Sequence, residues 1–586
     1  MATAPPAPAA FLESLPSWGA DLVRAVRAKQ SNMFTLHGVP SELVPVRSSA
    51  GLRFLSLDDF LTTQLFAGWP SMLTYNRAEG LGFATPASRS HFEERLRGYD
   101  AVHGTTWADR LPRDAANCFA LLDSYFRHCA ALSPARPVVL ILPFAETVVP
   151  AADVSNRGPE DRAVLVYLRK WSQDPVLLAK NIVIVLVTET LADLDPKLLR
   201  SHATQEVEIV RPTQDERLEY LEAVRAPEWY RKMAELTPDR LAELTAGMTR
   251  VQLAQMLDGA DANNEVLTRE RVRRSKKEVI ESEGLGLLEY VEPKYDLSMV
   301  AGMPAVKDRL RRAARAIARG NPAAVPMGYL VCGPVGSAKS FLVDCFANEI
   351  GFPCVKLKNF RSMWVGETEA NLERILKILA ALTPVGVVID EADAALGNRE
   401  QSGDSGTQNR VFAQIATFMG DTRYRGRILW FLITSRPDLL PIDLKRQGRA
   451  EEHIPLFYPE TPEEYDEIYQ VMLKKLGIKT SVARVSEVAS DEHLLGLSGS
   501  DLESVLVRAV LEAEAADAHE VAAEHLKKAF EDFLPSSNSR EREMQILCAV
   551  LESTSRELLP ERYRKMDRGD IQARISEIKR ELRLSS

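Results

Sequence analysis

A glycine-rich stretch between an apolar run and a lysine–serine pair is the first candidate for chemistry. From Gly328 to Ser340 the chain reads Gly-Tyr-Leu-Val-Cys-Gly-Pro-Val-Gly-Ser-Ala-Lys-Ser. Glycines keep side chains away from a polyphosphate, while backbone N–H groups and a helix N-terminus donate hydrogen bonds to it. In such a loop Lys339 would reach the terminal phosphates, and the Ser340 hydroxyl would ligate Mg²⁺. The spacing G-x-x-x-x-G-K-[ST] is met except at Ala338, which replaces a glycine.

A pair of carboxylates further along the chain supplies the second half of a candidate nucleotide site. Asp390 and Glu391 follow the apolar run from Val385 to Ile389. Asp390 would hold the hydration shell of Mg²⁺, and Glu391 would orient and polarise an attacking water. An Asp-Glu pair alone would indicate only a solvated turn, and the loop with Ala338 alone could be inactive. Their order along the chain favours a nucleotide-hydrolysing site.

The elements that would position these residues are buried strands that alternate with helices. The apolar segment 329–332 leads into the glycine-rich loop, and Lys339 opens a predicted helix. Segments 137–142 and 182–187 are also continuous apolar runs. Such strands between helices are typical of a parallel sheet that is covered on both faces. The sequence therefore predicts an α/β fold.

The first half of the chain is predicted to be a diverged copy of the second half. Segments 187–200 and 433–446 both begin at a strand end, pass through a short loop and end in an arginine. Residues 30–110 contain no glycine-rich loop with Lys-Ser or Lys-Thr, and no Asp-Glu pair follows Leu142. We therefore expect the first half not to hydrolyse nucleotide.

Composition limits the classes of partner. The chain has 586 residues, of which 45% are hydrophobic and 26% charged, so several soluble domains are expected. A net charge of −9 argues against nucleic acid as the main partner. No apolar run approaches the roughly 20 residues that span a bilayer, and the first residues do not resemble a secretory signal. The six cysteines lack metal-like spacing, which indicates buried thiols in a cytoplasmic protein.

On these motifs, the part from about Tyr295 to Pro535 resembles the AAA branch of the AAA+ ATPases. The whole chain more loosely resembles tandem AAA proteins whose first module is degenerate. The resemblance implies an ATPase with ATP and Mg²⁺ as ligands, and alanine before the lysine also occurs in active AAA+ relatives. It assigns nucleotide contacts to Val300, Ala301, Gly302, Gly333, Pro334, Val335, Gly336, Ser337, Ala338, Lys339, Ser340, Phe341, Gly499 and Ser500.

Further roles follow from the same resemblance. Ser435 falls where the family usually has the sensor-1 asparagine, so its role in positioning water or phosphate is open. Arg446 and Arg449 fall on the arginine fingers, which act on the nucleotide of a neighbouring subunit. A site that is completed by a neighbour requires assembly, and head-to-tail contacts that close make a ring. The family resemblance implies a homo-oligomer, usually a hexamer.

An aromatic–aliphatic–glycine triplet is the strongest indication of what the protein acts on. Trp364, Val365 and Gly366 match the family's pore loop, in which aromatic side chains grip an extended polypeptide. The alternative is that Trp364 is a core residue. The stripe formed by Leu372, Ile375, Leu376 and Leu379 already accounts for the core of the next helix, which favours the pore loop.

The predicted domains follow from the composition shifts and the resemblance. They are an N-terminal tail and helix (1–30), a degenerate AAA large subdomain (31–212) and its helical lid (213–275), a linker (276–299), an active AAA large subdomain (300–458) and its lid (459–535), and a helical C-terminal extension (536–586).

The function predicted from the sequence is an ATP-driven, ring-forming motor that remodels, unfolds or disassembles protein substrates through a pore. The substrate itself is not identified. The alternative is a slow, ATP-switched scaffold or assembly regulator, because Ala338 and Ser435 could both slow hydrolysis. A nucleic-acid motor is disfavoured by the acidic net charge.

Overall fold

The computed structural model describes residues 9–48, 51–151, 158–199, 203–284, 286–358, 368–396, 405–535 and 539–582. The chain divides into two compact units, a first unit of residues 1–276 and a second unit of residues 277–586. In each unit helices flank a mainly parallel sheet. The α/β fold predicted from the sequence is confirmed.

The first unit is built around a sheet with the order β5-β4-β6-β7-β1-β8. Its strands are β1 (Met33–Gly38), β2 (Val44–Ser48), β3 (Gly51–Leu55), β4 (Ser71–Asn76), β5 (Gly80–Phe83), β6 (Val138–Leu142), β7 (Ile182–Val187) and β8 (Thr204–Ile209). Neighbouring strands of the sheet are parallel except β4 and β5, and β2 and β3 form a separate hairpin. Every residue of β6 and β7 is buried, as expected for continuous apolar strands in a parallel sheet.

Helices cover this sheet and then continue into a helical subdomain. The helices are α1 (Ala9–Ser14), α2 (Ser17–Arg27), α3 (Leu57–Phe60), α4 (Pro86–His103), α5 (Ala115–Ala131), α6 (Ala145–Val148), α7 (Pro159–Gln173), α8 (Pro175–Ala179), α9 (Pro196–Leu199), α10 (Gln214–Val224), α11 (Pro227–Met233), α12 (Pro238–Leu244), α13 (Arg250–Asn263) and α14 (Arg269–Glu283). Capping boxes at Thr213 and Thr249 fix the first turns of α10 and α13.

The second unit contains a sheet with the order β14-β10-β13-β12-β11-β9. Its strands are β9 (Leu288–Val291), β10 (Gly328–Cys332), β11 (Cys354–Leu357), β12 (Val385–Ile389), β13 (Ile428–Thr434) and β14 (Glu452–Pro455). The strands β10 to β14 pair in parallel, and β9 pairs antiparallel with β11. Taken in chain order, β10 to β14 occupy the same places in this sheet as β1, β4, β6, β7 and β8 occupy in the first sheet. The five parallel strands of the two units therefore share one topology.

The helices of the second unit enclose both faces of the sheet and form two helical groups after it. They are α15 (Pro304–Ala318), α16 (Lys339–Ile350), α17 (Thr368–Ala381), α18 (Ala392–Leu396), α19 (Ser405–Met419), α20 (Pro462–Leu476), α21 (Asp491–Leu494), α22 (Gly499–Ala515), α23 (Ala523–Asp532), α24 (Ser539–Glu552), α25 (Glu561–Arg564) and α26 (Arg568–Glu581). Helices α20 to α23 share one apolar cluster, which we call the lid. Helices α24 and α26 share another.

The segment expected to be a linker, residues 276–299, contains regular structure. Helix α14 continues to Glu283, and β9 follows as an edge strand of the second sheet. Leu288 is buried in the core beneath that sheet, so this end of β9 is held by apolar packing. Among the helices of the described residues, none is long and apolar enough to cross a bilayer.

Candidate functional site

The glycine-rich loop, residues 333–340, joins the buried strand β10 to helix α16 and is called the phosphate loop below. Gly333 has a φ of +150°, and a Cβ atom there would collide with the carbonyl oxygen of Leu456. Gly336 has a φ of +81°, and its Cβ atom would lie 2.6 Å from the Oγ atom of Ser498. Both positions therefore require glycine for the close approach as well as for the backbone conformation.

Ala338 is the residue at which the phosphate loop departs from the usual pattern. Its φ is +61° and its ψ is 28°, which is the left-handed conformation. Glycine adopts this conformation without penalty, whereas an alanine Cβ opposes it. The loop thus keeps the backbone of a glycine with an alanine in its place.

Lys339 is the first residue of α16 and folds back over the loop. Its Nζ atom donates to the carbonyl oxygen of Gly333 at 3.0 Å and to that of Pro334 at 2.8 Å. Burial lowers the pKa of this ammonium group to about 8. The cation is therefore held by carbonyl oxygens of the loop.

Asp390 is the centre of a hydrogen-bonded cluster at the end of β12. Its Oδ2 atom accepts from the Ser340 hydroxyl at 3.0 Å and from Nζ of Lys356 at 2.8 Å, and its Oδ1 atom accepts from the backbone N–H of Glu391 at 3.0 Å. Burial alone would raise the pKa of Asp390, but the hydrogen bonds and charge of Lys356, followed by the Ser340 bond, hold it below its usual value. A carboxylate and a hydroxyl oxygen at this distance fit a hard divalent cation.

Lys356 is a site residue that the sequence analysis missed. It lies in β11, in parallel register with Val388 of β12, two positions before Asp390. A lysine in an otherwise buried strand is an unusual residue type, and that was the available signal. Its partner could be identified only once the order of the strands was known.

Glu391 lies at the start of the turn that leads into α18. Its side chain is exposed and its φ is +48°, so the turn presents the carboxylate to solvent. In the first unit the equivalent positions after β6 are occupied by Pro143 and Phe144, and Phe144 has a φ of +55°. The same backbone turn is therefore present in both units, but only the second unit carries carboxylates on it.

The end of β13 faces the same acidic turn. The hydroxyl of Thr434 donates to Asp393 at 2.6 Å, while Ser435 is half-buried and is the next residue along the chain. The residue that contacts the turn after Asp390 is thus Thr434, which the sequence analysis did not select. Arg436 is bound by both oxygens of Asp438, each at 2.9 Å, and this pair holds the loop after β13.

The lid meets the phosphate loop at the N-terminus of α22. Ser498 caps this helix in a capping box with Asp501, and the same serine lies against Gly336. Gly499 and Ser500 are the first two residues of the helix, and Ser500 is exposed. The predicted contacts at the lid therefore lie beside the loop.

A second link between the lid and the large subdomain lies before α15. The backbone N–H of Gly302 donates to Glu467 of α20 at 2.9 Å, and Lys307 donates to the carbonyl oxygen of buried Val300 at 2.9 Å. Phe341, in the first turn of α16, packs against Tyr295. Ala301 is half-buried between these contacts.

Arg446 and Arg449 both lie beside Asp443, before β14. The Arg446 side chain is 61% exposed and its Nε atom is 3.5 Å from Asp443, so this guanidinium faces outward. Arg449 is more buried and donates from Nη1 to the Asp443 carbonyl oxygen at 2.6 Å. Burial and the nearby Arg446 charge lower the pKa of Arg449. Trp364, Val365 and Gly366 lie outside the described residues.

In the first unit the loop after β1 stands where the phosphate loop stands in the second unit. Gly38, with a φ of +109°, packs against the carbonyl oxygen of Ile209 as Gly333 packs against Leu456. Beyond it, Glu42 is buried and accepts from the backbone N–H of Arg250 at 3.0 Å, at the N-terminus of α13. An internal carboxylate thus connects this loop to the helical subdomain.

Two α/β units of one topology, one of them with a glycine-rich loop and a Ser–Asp–Lys cluster, define a tandem nucleotide-binding architecture. Three family models match the chain: "AAA+ chaperone, N-terminal Rossmann-like domain" over residues 5–210, "AAA+ chaperone, second helical domain" over residues 215–284, and "ATPase family associated with various cellular activities (AAA)" over residues 329–458. The chain belongs to the AAA+ ATPases and is a tandem AAA protein.

Relatives agree with this assignment. The chain is 25% identical to "Cell division cycle protein 48 homolog" of Archaeoglobus fulgidus over 63% of this chain and 53% of the relative. It is 30% identical to "Uncharacterized AAA domain-containing protein ycf46" of Trieres chinensis over 41% and 48%, respectively. It is 29% identical to "ATPase family protein 2 homolog" of Caenorhabditis elegans over 55% and 45%. The chain thus spans about half the length of these relatives.

Proposed function

We propose that the second unit binds and hydrolyses ATP. The observation that carries the proposal is the cluster of Ser340, Asp390 and Lys356 directly beside the phosphate loop. Backbone N–H groups of the loop and the Lys339 ammonium bind the phosphates, and Glu391 orients the attacking water. Mg²⁺, held by Ser340 and Asp390, would neutralise charge on the phosphates.

A complete site needs a second copy of the chain. Arg446 is exposed and Arg449 lies next to it, both on the segment between β13 and β14. Arginines that reach a neighbour's phosphates stabilise the charge of the transition state. We therefore propose a homo-oligomer with head-to-tail contacts, closed as a hexamer.

The proposed substrate is a polypeptide that passes through the pore of this ring. The proposal rests on the sequence Trp364-Val365-Gly366 between β11 and α17. A ring of tryptophans grips apolar and backbone surface without reading a sequence, and the glycine permits movement.

The six cysteines are all buried and unpaired, which supports a cytoplasmic location. The net charge of −9 disfavours nucleic acid as substrate.

Two variants test the proposal together. Glu391→Gln is expected to bind ATP without hydrolysing it, so that the assembly keeps its polypeptide client in a pull-down with ATP. Trp364→Ala is expected to retain ATP turnover but to lose remodelling of the captured client. Unchanged client processing by Trp364→Ala would refute threading and leave the ATPase in place.

The second candidate is a slow, ATP-switched assembly regulator. The strained backbone of Ala338 and the serine at position 435 favour it, since the family resemblance assigns both positions to contacts with phosphate or water. Turnover far below a per-second rate, combined with ATP-dependent partner binding in the wild type, would select this candidate. Turnover within the ordinary enzymatic range of about 1 s⁻¹ or more would exclude it.

A further inference from the structure

The C-terminal segment, residues 539–582, contacts the phosphate loop directly. The Oε1 atom of Gln545 in α24 accepts from the backbone N–H of Val335 at 3.0 Å. At the other backbone polar group of the same residue, the hydroxyl of Tyr458 donates to the Val335 carbonyl oxygen at 2.6 Å. Gln545 is buried, whereas Val335 is exposed, so the bond ties an exposed loop residue to a buried side chain. The middle of the loop is therefore held by a residue 210 positions away in the chain.

The same segment binds the stretch that carries the two candidate arginine fingers. Glu552, the last residue of α24, forms an ion pair with Lys445, the residue before Arg446. The Nδ1 atom of His453 in β14 lies 2.8 Å from the Glu552 carbonyl oxygen and 3.4 Å from its carboxylate. Both partners are largely buried, so the contact is more than a surface ion pair. These contacts fix the C-terminal segment to both ends of residues 445–453, which we call the arginine-bearing segment.

Helix α26 reaches the loop that follows β13. Lys579 lies 3.2 Å from Asp438, which is the carboxylate that binds Arg436. Burial alone would raise the pKa of Asp438, but the hydrogen bonds and charge of Arg436, with a smaller contribution from Lys579, hold it below its usual value. The sensor-1 region after β13 is therefore in contact with the C-terminal segment as well.

The segment also contacts the lid. Arg542 of α24 lies 3.4 Å from Asp501, the residue that closes the capping box at the start of α22. Its guanidinium also lies 5.8 Å from the ring centroid of Tyr458, whose hydroxyl holds Val335. Arg542 thus connects Asp501 of the lid with Tyr458, whose hydroxyl contacts the phosphate loop.

Apolar packing makes this segment an integral part of the second unit. Ala549 of α24 is fully buried in the cluster that contains β12, and Leu558 lies in the cluster on the other face of the sheet. Helices α24 and α26 close a further cluster that contains Met544, Cys548 and Ile578. A segment anchored in both faces of the core cannot move freely when the lid moves.

We propose that the C-terminal segment is a positioning element of the nucleotide site, which couples the lid to the phosphate loop and to the arginine-bearing segment. Gln545 fixes the loop, Glu552 fixes the arginine-bearing segment, and Arg542 ties the first turn of α22 in the lid to the same helix. The consequence for nucleotide binding rests on the proposed ATPase, whereas the mechanical coupling does not. Loss of the Arg542 contact removes one tie on the first turn of α22, and loss of the Gln545 contact loosens the loop.

The test compares Gln545→Leu and Arg542→Ala with a matched control in the same helix hairpin. Arg574→Ala is the control because Arg574 pairs with Glu543 and Glu577, which lie inside the segment. Hydrogen exchange of the full-length chain, followed by mass spectrometry, reports on the loop peptide and on the first turn of α22. Binding and release of a fluorescent ADP analogue report on the site.

The expected result is faster exchange at the phosphate loop in Gln545→Leu and at both the loop and the start of α22 in Arg542→Ala. Affinity for the analogue should fall roughly fivefold in Gln545→Leu, as for the loss of one hydrogen bond. Release from Arg542→Ala should accelerate by a similar factor, while Arg574→Ala follows the wild type. Gln545→Glu, which keeps an acceptor for the Val335 N–H, should exchange at the phosphate loop as slowly as the wild type.

Exchange in Arg542→Ala and Gln545→Leu that matches Arg574→Ala at both positions would overturn the proposal. If no form of the protein bound the analogue, the proposed ATPase would fail, and the exchange data would still decide on the coupling. The two proposals therefore fail in different experiments.

Discussion

Ala338 holds a left-handed backbone at the point where the phosphate loop enters α16. The conformation opposes an alanine Cβ by about 1 kcal/mol, and glycine removes that penalty. Ala338→Gly should therefore raise the free energy of unfolding of the second unit by up to about 1 kcal/mol without weakening nucleotide binding. Chemical denaturation measures the change in this free energy, with hydrogen exchange of β12 and β13 as the probe of unfolding.

The control for this prediction is the same substitution within α16, the helix that Ala338 precedes. Ala347 lies in α16 and is buried, so Ala347→Gly should lower the stability by about 1 kcal/mol or more. Equal destabilisation of the second unit by both substitutions would show that the backbone at Ala338 is not strained.

Lys276 is a second residue whose environment opposes its ordinary state. Its Nζ atom is buried in the first unit and donates to the carbonyl oxygen of Leu244 at 3.1 Å. Burial, with a smaller effect of the charge of Arg217, lowers its pKa to about 7. Because the unfolded chain keeps the ordinary pKa of about 10.4, it binds more protons than the folded chain above pH 7.

The stability of the first unit should therefore rise with pH above about 7, by at most about 1.4 kcal/mol per pH unit from this group. Below pH 7 both states are protonated, and this contribution stays constant. Lys276→Met should remove the rise, which denaturation of the wild type and the variant between pH 6 and 9 would reveal as diverging curves. Parallel curves would mean that Lys276 does not titrate in this range.

At the scale of elements, the buried pair between Glu42 and Arg250 connects the loop after β1 to helix α13. The side chains are 3% and 4% exposed, and burial raises the pKa of Glu42 against the opposing charge of Arg250. Removing one partner leaves the other charge buried, which destabilises by roughly 3–5 kcal/mol. Glu42→Ala should destabilise the first unit by this amount, as measured by urea denaturation.

Two matched variants separate this pair from an ordinary ion pair. Arg47 and Glu219 form an exposed pair in the same unit, so Arg47→Ala should cost about 1 kcal/mol or less. The double variant Glu42→Leu with Arg250→Met replaces both charges and should recover most of the lost stability. A Glu42→Ala effect as small as that of Arg47→Ala would contradict the account.

The elements themselves were largely predictable from the sequence, because their apolar patterns are local. The continuous runs in β6, β7, β10 and β12 predicted buried parallel strands, and the similarity of the two halves predicted one shared topology. The order of motifs likewise indicated Lys339 and Asp390. No local pattern distinguishes β9 from a linker, since its short strand exists through pairing with β11.

The contacts that were missed join residues far apart in the chain. Gln545 lies 210 positions from Val335, and Glu42 lies 208 positions from Arg250. Each pair meets only because the sheet order and the helical subdomain bring the two segments together. Lys356 reaches Asp390 for the same reason, since β11 and β12 are neighbours in the sheet.

At the scale of the whole molecule, two units of one topology differ in the residues that could do chemistry. The first unit keeps the turn geometry at Gly38 and Phe144 but replaces the reactive side chains with Glu42 and a proline–phenylalanine pair. The second unit keeps Lys339, Asp390 and Glu391 and presents two arginines on another segment. We propose that each active site is completed by the arginines of a neighbouring copy.

The most direct test of that claim mixes two variants that are each inactive for a different reason. Lys339→Ala cannot bind phosphate but still carries the arginines, and a variant with Arg446→Ala and Arg449→Ala has the opposite defect. If the site is shared, mixed assemblies of the two should recover ATP hydrolysis that neither shows alone. If the two variants co-assemble, as judged by size and by a tag on one of them, and hydrolysis stays at the level of the separate variants, the claim is wrong.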